Sequence, residues 1–158
     1  MMSKPDRYSS RDEIEANIKS LGIDRTRFYE YSKTDYQKVI NHFYFAFVDH
    51  EAKKNIDLKY CWLNFRKDLK QTAIYFAGSG MSLADMIHGV KDNMKYDWNR
   101  KLFLILDDGW VYEGYIDEMI SVMTETDGMT GDFYIVSPQY DRFAAYCEDG
   151  DSMAYYEK

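Results

Sequence analysis

Five consecutive apolar residues, Leu102-Phe103-Leu104-Ile105-Leu106, constrain the fold of this chain more than any other stretch. A strand with one wet face alternates apolar and polar residues, whereas an unbroken apolar strand buries both faces. Residues 101–106 therefore read as a central strand that needs cover on two sides, closed by the turn Asp107-Asp108-Gly109. Further strands are predicted at 72–77, ended by Gly78-Ser79-Gly80, and at 132–136, ended by Ser137-Pro138. Residues 142–147 and 152–157 read as the arms of a hairpin around Glu148-Asp149-Gly150-Asp151, with Gly150 supplying the positive φ of the turn.

Helical periodicity fills the space between these strands. Ile14, Ile18 and Leu21 form a stripe that starts near Arg11 and stops at Gly22. Ser9 or Ser10 caps it, and Glu13 completes a capping box with Ser10. Tyr36, Val39, Ile40, Phe43, Tyr44 and Phe47 predict a helix over 34–50, capped by Asp35 or Thr34, with a strand over 43–48 as the competing reading. Residues 58–69 are read as a helix carrying Leu58, Trp62, Phe65 and Leu69 on one face, in preference to a strand and polar turn. Ser82 caps a helix over 83–94, in which Gly89 costs about 1 kcal/mol relative to Ala. A last helix spans 115–126 with Ile116, Met119, Ile120 and Met123 inward, ended by Asp127-Gly128. The expectation is an α+β fold: a flexible tail over 1–9, then a single domain over 10–158. Its one mixed or mainly antiparallel sheet is covered by helices and ends in a β-hairpin.

Charge is distributed unevenly along this domain. Residues 107–158 hold thirteen Asp and Glu against Arg142 and Lys158, a formal charge of −11, while residues 1–106 carry +4. A face built from those acids repels nucleic acid and anionic membrane and attracts a basic protein. Seven tyrosines of the same region, among them Tyr112, Tyr140, Tyr146 and Tyr155, would add the aromatic area that interfaces favour. The candidate partner-binding residues are thus Tyr112, Glu113, Asp117, Tyr146, Glu148, Asp149, Asp151 and Tyr155. Lys53, Lys54, Lys59, Arg66, Lys67 and Lys70, interleaved with Tyr60, Trp62 and Phe65, resemble a single-strand nucleic-acid surface. The acidic third opposes that use, and internal pairing with its acids is the favoured reading.

Catalytic signatures are incomplete. Gly78-Ser79-Gly80 before a helix lacks the remaining glycines or the Gly-Lys-Ser/Thr of a phosphate loop, and Ser79 lacks a nucleophile elbow. Asp107 and Asp108 at the end of an apolar strand could hold a divalent metal, which makes a small metal-dependent hydrolase the alternative reading. Asp107, Asp108, Glu113, Asp117 and Glu118 could also supply an acid–base pair. His42 and His50 stand eight residues apart, too far to chelate one metal. No motif calls for a cofactor. A third reading is a structural subunit whose Tyr-rich surface pairs with its own copy. Cys61 and Cys147 have no metal spacing and read as buried thiols of a reducing compartment, with a disulfide as the other possibility. With no signal peptide at the N-terminus and no apolar run long enough to span a bilayer, a cytoplasmic protein is expected.

The string Asp132-Phe133-Tyr134-Ile135-Val136-Ser137, then Tyr140-Asp141, then the acidic hairpin at 148–151, resembles the ending of small bacterial toxin-immunity proteins in the broad SMI1/KNR4-like sense. The resemblance covers the last third of the chain. It implies a cytosolic bacterial binding protein without catalysis, and it assigns no functional residue.

Overall fold

The computed structural model describes residues 9–76, 80–126 and 131–158. The flexible tail (apart from Ser9), most of the Gly78-Ser79-Gly80 loop and the Asp127-Gly128 helix stop lie outside these residues. The elements run α1 (Ser10–Leu21), β1 (Phe28–Glu30), α2 (Tyr36–Phe47), β2 (Lys70–Phe76), α3 (Leu83–Asn93) and β3 (Leu102–Leu106). They continue with β4 (Val111–Gly114), α4 (Ile116–Thr124), β5 (Phe133–Val136), β6 (Arg142–Cys147) and β7 (Ser152–Glu157). One seven-stranded sheet has the order β1-β4-β3-β5-β6-β7-β2, and every neighbouring pair is antiparallel. The protein is a single α+β domain.

Strand β3 has no exposed residue, and its side chains alternate between two cores. Leu104 sits in register with Ile135, Ala144, Tyr155 and Ala73 across the sheet, and Leu106 with Phe133, Tyr146, Met153 and Tyr75. These rows pack against Ile14 and Ile18 of α1, Met86, Ile87 and Val90 of α3, and Met119, Val122 and Met123 of α4. The intervening rows, Phe103-Val136-Phe143-Tyr156 and Ile105-Tyr134-Ala145, point to the other face. There α2 supplies Val39, Ile40, Phe43, Tyr44 and Phe47, joined by Leu58, Cys61 and Phe65. The period-two alternation of a fully apolar strand thus divides one run of residues between two helical layers.

Several local expectations change. The cap of α1 is Ser9, whose hydroxyl accepts from the Asp12 N–H at 3.1 Å, and Asp12 rather than Glu13 closes the capping box. Leu21 at the end of α1 is exposed, outside the buried stripe. Helix α2 ends at Phe47, because Val48 pairs with Phe65 in an isolated bridge. Residues 58–69 form no helix, only a 3₁₀ turn at Cys61–Leu63. Local bonds compete with a helix there: the Lys59 N–H bonds the Asp57 carboxylate at 3.0 Å, and Arg66 N–H bonds Phe47 C=O at 2.8 Å. Strands β1 and β4, three and four residues long, add to the expected set. In the last hairpin the positive φ falls on Asp151, at 43°, and not on Gly150.

Gly89 is no weak point in α3. A Cβ there would lie 2.6 Å from Cε2 of Tyr75 and 2.8 Å from the Tyr155 hydroxyl. Both rings are tied down: Tyr155 donates to the Met86 carbonyl, and Tyr75 accepts from the Asn93 amide at 2.7 Å. Helix propensity alone predicts that Gly89→Ala gains about 1 kcal/mol. Overpacking costs typically 1–3 kcal/mol, and here it acts on two hydrogen-bonded rings. The expected outcome is net destabilisation of about 1 kcal/mol or more, read as a lower urea midpoint at unchanged slope.

Candidate functional site

Antiparallel order gathers three connections at one end of the sheet. The β3–β4 turn, the entry to β5 and the β6–β7 turn all lie beyond the Leu106-Phe133-Tyr146 row. They carry Asp107, Asp108, Asp132, Glu148, Asp149 and Asp151. Asp107, Asp132, Glu148 and Asp149 line a cleft of about 120 Å³ with Lys59 and Tyr60.

Asp132 organises this rim. It is only 5% exposed. Its Oδ1 accepts from the Glu148 N–H at 2.9 Å and its Oδ2 from the Tyr60 N–H at 3.2 Å. Its own N–H bonds Asp107 Oδ2 at 3.0 Å, and its C=O accepts from the Asp107 N–H at 3.1 Å. One residue therefore ties the β3–β4 turn, the β6–β7 turn and the 3₁₀ segment together. Tyr60 is held at φ 61°, a left-handed conformation uncommon for a bulky residue, with half of its surface exposed. Gly131, at φ 70°, leaves room for the Asp107 carboxylate, which a Cβ would approach to 2.8 Å.

Asp107 is held in an unfavourable place for a charge. Burial, and then the neighbouring Asp132 and Asp108 carboxylates, push its carboxyl up to about 6, against the Asp132 N–H and the Lys59 ammonium, which favour the anion. Asp108 turns elsewhere and accepts from the Ser10 hydroxyl at 2.6 Å. The two carboxylates of the hydrolase alternative thus have separate partners. Among the described residues no group of three or more His, Cys, Asp or Glu side chains comes together as a metal site.

The expected partner-binding residues divide. Glu148, Asp149 and Asp151 stand exposed on the rim. Glu113 lies toward the opposite end of the strands, in the Phe103 row, and accepts from the Tyr29 hydroxyl. Asp117 pairs with Lys91 at 3.0 Å. Tyr112 and Tyr155 are fully buried and Tyr146 nearly so. Their hydroxyls are used inside the fold, by Glu15 at 2.7 Å, the Met86 carbonyl and Asp151 at 2.7 Å respectively. These three tyrosines are core residues, so they do not supply an aromatic surface. The aromatic residue in the cleft is Tyr60, from the segment that resembled a nucleic-acid surface. Nor does that segment pair mainly with the acidic third: Lys53 pairs with Asp57 and Arg66 with Asp68, both locally, and only Lys59 reaches the cleft. Asp132, Tyr60 and Lys59 went unassigned to the rim because their meeting depends on strand order, which no local pattern encodes.

Cys61 and Cys147 are buried and unpaired, and no helix among the described residues is long and apolar enough to cross a membrane. The whole is a one-sheet α+β domain with a carboxylate rim at one end. The chain belongs to the family of unknown function DUF6756, whose model matches residues 6–158. No curated protein and no solved structure matches it.

The raised Asp107 carboxyl has a definite sign. A carboxyl whose folded value exceeds its unfolded value of about 3.9 favours the folded state most when protonated. Its ionisation therefore costs stability as pH rises through about 6. Asp107→Asn keeps an acceptor for the Asp132 N–H and removes that cost. The variant is expected to be more stable than the parent by roughly 1–2 kcal/mol at pH 7.5, after discounting for partial solvation. The difference should vanish at pH 4, as read by urea unfolding at both values.

Proposed function

We propose that this protein is a non-enzymatic binding protein whose acidic rim receives a basic segment of a partner protein. The observation that carries this reading is the absence of salt bridges at the rim among the described residues. Eight ion pairs join described residues elsewhere, and none uses Asp107, Asp108, Asp132, Glu148, Asp149 or Asp151. Six carboxylates therefore gather at one end of the sheet, and four of them, Asp107, Asp132, Glu148 and Asp149, share their cleft with one lysine, Lys59. Of the six, Asp108, Glu148, Asp149 and Asp151 are exposed. Such a field speeds encounter with a cationic surface and selects against anionic ones. The clamp at Asp132 fixes the geometry before binding, which lowers the ordering cost of association. An inhibitor or immunity role in a bacterial cytoplasm is consistent with this chemistry and with two buried unpaired thiols.

The test compares the parent with Glu148→Gln/Asp149→Asn/Asp151→Asn as baits in extracts of the native host, at low and moderate salt. The parent is expected to retain a basic protein that the variant loses, with an on-rate that falls steeply with ionic strength. Equal recovery and equal on-rates for both baits would remove the rim from the interface.

A second reading, self-association, draws on strand β2. It is seven residues long and stands at the edge of the sheet, with Ile74 on an uncovered part of the face. Edges of this kind pair with other strands. If this edge forms a dimer, Ile74→Lys is expected to halve the mass measured by sedimentation. A monomeric parent would exclude it.

A further inference from the structure

A second concavity lies away from the rim, between α2 and the sheet, and the acidic-rim reading makes no use of it. Its volume is about 420 Å³, within the range of small-molecule sites. Tyr31, Phe103, Tyr140 and His42 supply the rings, Val39 and Pro138 the remaining apolar surface, and Asp35 and Lys38 the charged groups. The rings already make ordered contacts. Phe103 meets Tyr31 edge-on at 5.2 Å and Tyr140 nearly parallel at 6.2 Å, and His42 meets Tyr140 edge-on at 4.9 Å.

Tyr140 is held there against its backbone preference. Its φ is 55°, in the left-handed region. The turn that imposes this is clamped: the Tyr140 N–H bonds the Ser137 carbonyl at 2.9 Å. The buried Ser137 hydroxyl in turn bonds the Asp141 carboxylate at 2.6 Å and accepts from the Asp141 and Arg142 N–H groups. Tyr31 is fixed by its N–H bond to the Val111 carbonyl at 2.8 Å. Backbone strain kept in place by surrounding structure is a feature of ligand clamps.

Tyrosine hydroxyls elsewhere in this fold are mostly occupied, for example those of Tyr44, Tyr96, Tyr112, Tyr134, Tyr146 and Tyr155. Those of Tyr31 and Tyr140 have no hydrogen-bond partner among the described residues. They are near enough for Tyr31 to act on Tyr140, and burial together with that neighbour pushes the Tyr140 phenol up to about 12. At neutral pH it remains a donor. Asp35 is already engaged with Lys38 at 3.4 Å. The hydrogen-bonding groups of the groove left free by the described residues are therefore two phenol hydroxyls beside aromatic walls.

We propose that this groove binds a small planar aromatic acid, its ring against Phe103 and Tyr140 and its carboxylate at the Tyr31 and Tyr140 hydroxyls. The experiment titrates ¹⁵N-labelled protein with three probes: benzoate, cyclohexanecarboxylate and benzyltrimethylammonium. Benzoate is expected to shift the amide signals of Tyr31, His42, Phe103 and Tyr140 saturably, with Kd on the order of 1 mM for so small a probe. Cyclohexanecarboxylate, without a π-face, should bind several-fold more weakly. Tyr31→Phe and Tyr140→Phe keep the rings and lose the donors, and each should weaken benzoate roughly three- to tenfold. The amide spectrum of each variant reports its fold directly. Non-saturating shifts, or a benzoate Kd unchanged in both Phe variants, would overturn the site. Tighter binding of benzyltrimethylammonium would overturn its assignment to an acid.

Discussion

The burial of Leu102–Leu106 on both sides is the constraint from which the rest of this structure follows. Two cores must form, because neighbouring residues of one strand point into different layers. Three helices cover one face, and α2 with the 58–65 segment covers the other. Every other strand then takes its side-chain phase from β3 through the ladder. Slipping one register would exchange Tyr134 and Ile135, or Phe143 and Ala144, between cores shaped for different volumes. The aromatic content follows from the same constraint. Face-filling rings such as Phe43, Phe143 and Tyr134, with centroids 4.7–5.4 Å apart, pack a thick second core from a single helix and a loop.

Those layers determine where polar groups are allowed. With both faces occupied, charge is left to the ends of the strands and to solvent-facing helix positions. Antiparallel connection places alternate turns at one end, so acids spread over residues 107–151 become neighbours. Asp132 is the exception that makes the rim definite. It is a buried carboxylate whose oxygens are met by two backbone N–H groups from distant segments, a strong and directional arrangement. Asp107 beside it is destabilised as an anion by that same placement. Asp107 thus lines the cleft at a cost to the stability of the fold at neutral pH.

Legibility in the sequence tracked how local each determinant is. The central strand and both arms of the last hairpin were readable because apolar runs and a Gly-Asp turn are local signals. So were the cap at Ser82 and the stop at Gly22, whereas two adjacent serines left the first cap open between Ser9 and Ser10. Strand β4, Val-Tyr-Glu-Gly, was not, since four mixed residues carry no period and its pairing comes from β3. Residues 58–69 carried a helical period that tertiary bonds overruled. At the site, Glu148, Asp149 and Asp151 were readable as an acidic turn, but the grouping with Glu113 and Asp117 rested on sequence distance and the fold separated them. Tyr112, Tyr146 and Tyr155 illustrate a further limit. A tyrosine in a strand looks amphipathic from sequence, and only the ladder shows whether its hydroxyl meets solvent or a buried acceptor.

The tyrosines also connect the two sites. Most of them end on a carbonyl or carboxylate inside the protein, and each such bond removes a donor from the surface. The chain therefore presents carboxylate acceptors at its rim and keeps most of its phenol donors inside. Tyr31 and Tyr140, like Tyr60 and Tyr115, depart from that pattern, and at Tyr140 the departure coincides with a left-handed backbone and a concave aromatic wall. A core could satisfy those hydroxyls cheaply, as it does for Tyr134 with the Leu58 carbonyl at 2.6 Å. Two open hydroxyls over the ring of Phe103, beside a backbone clamped in the left-handed region at Tyr140, are the features on which the proposed aromatic-acid site rests.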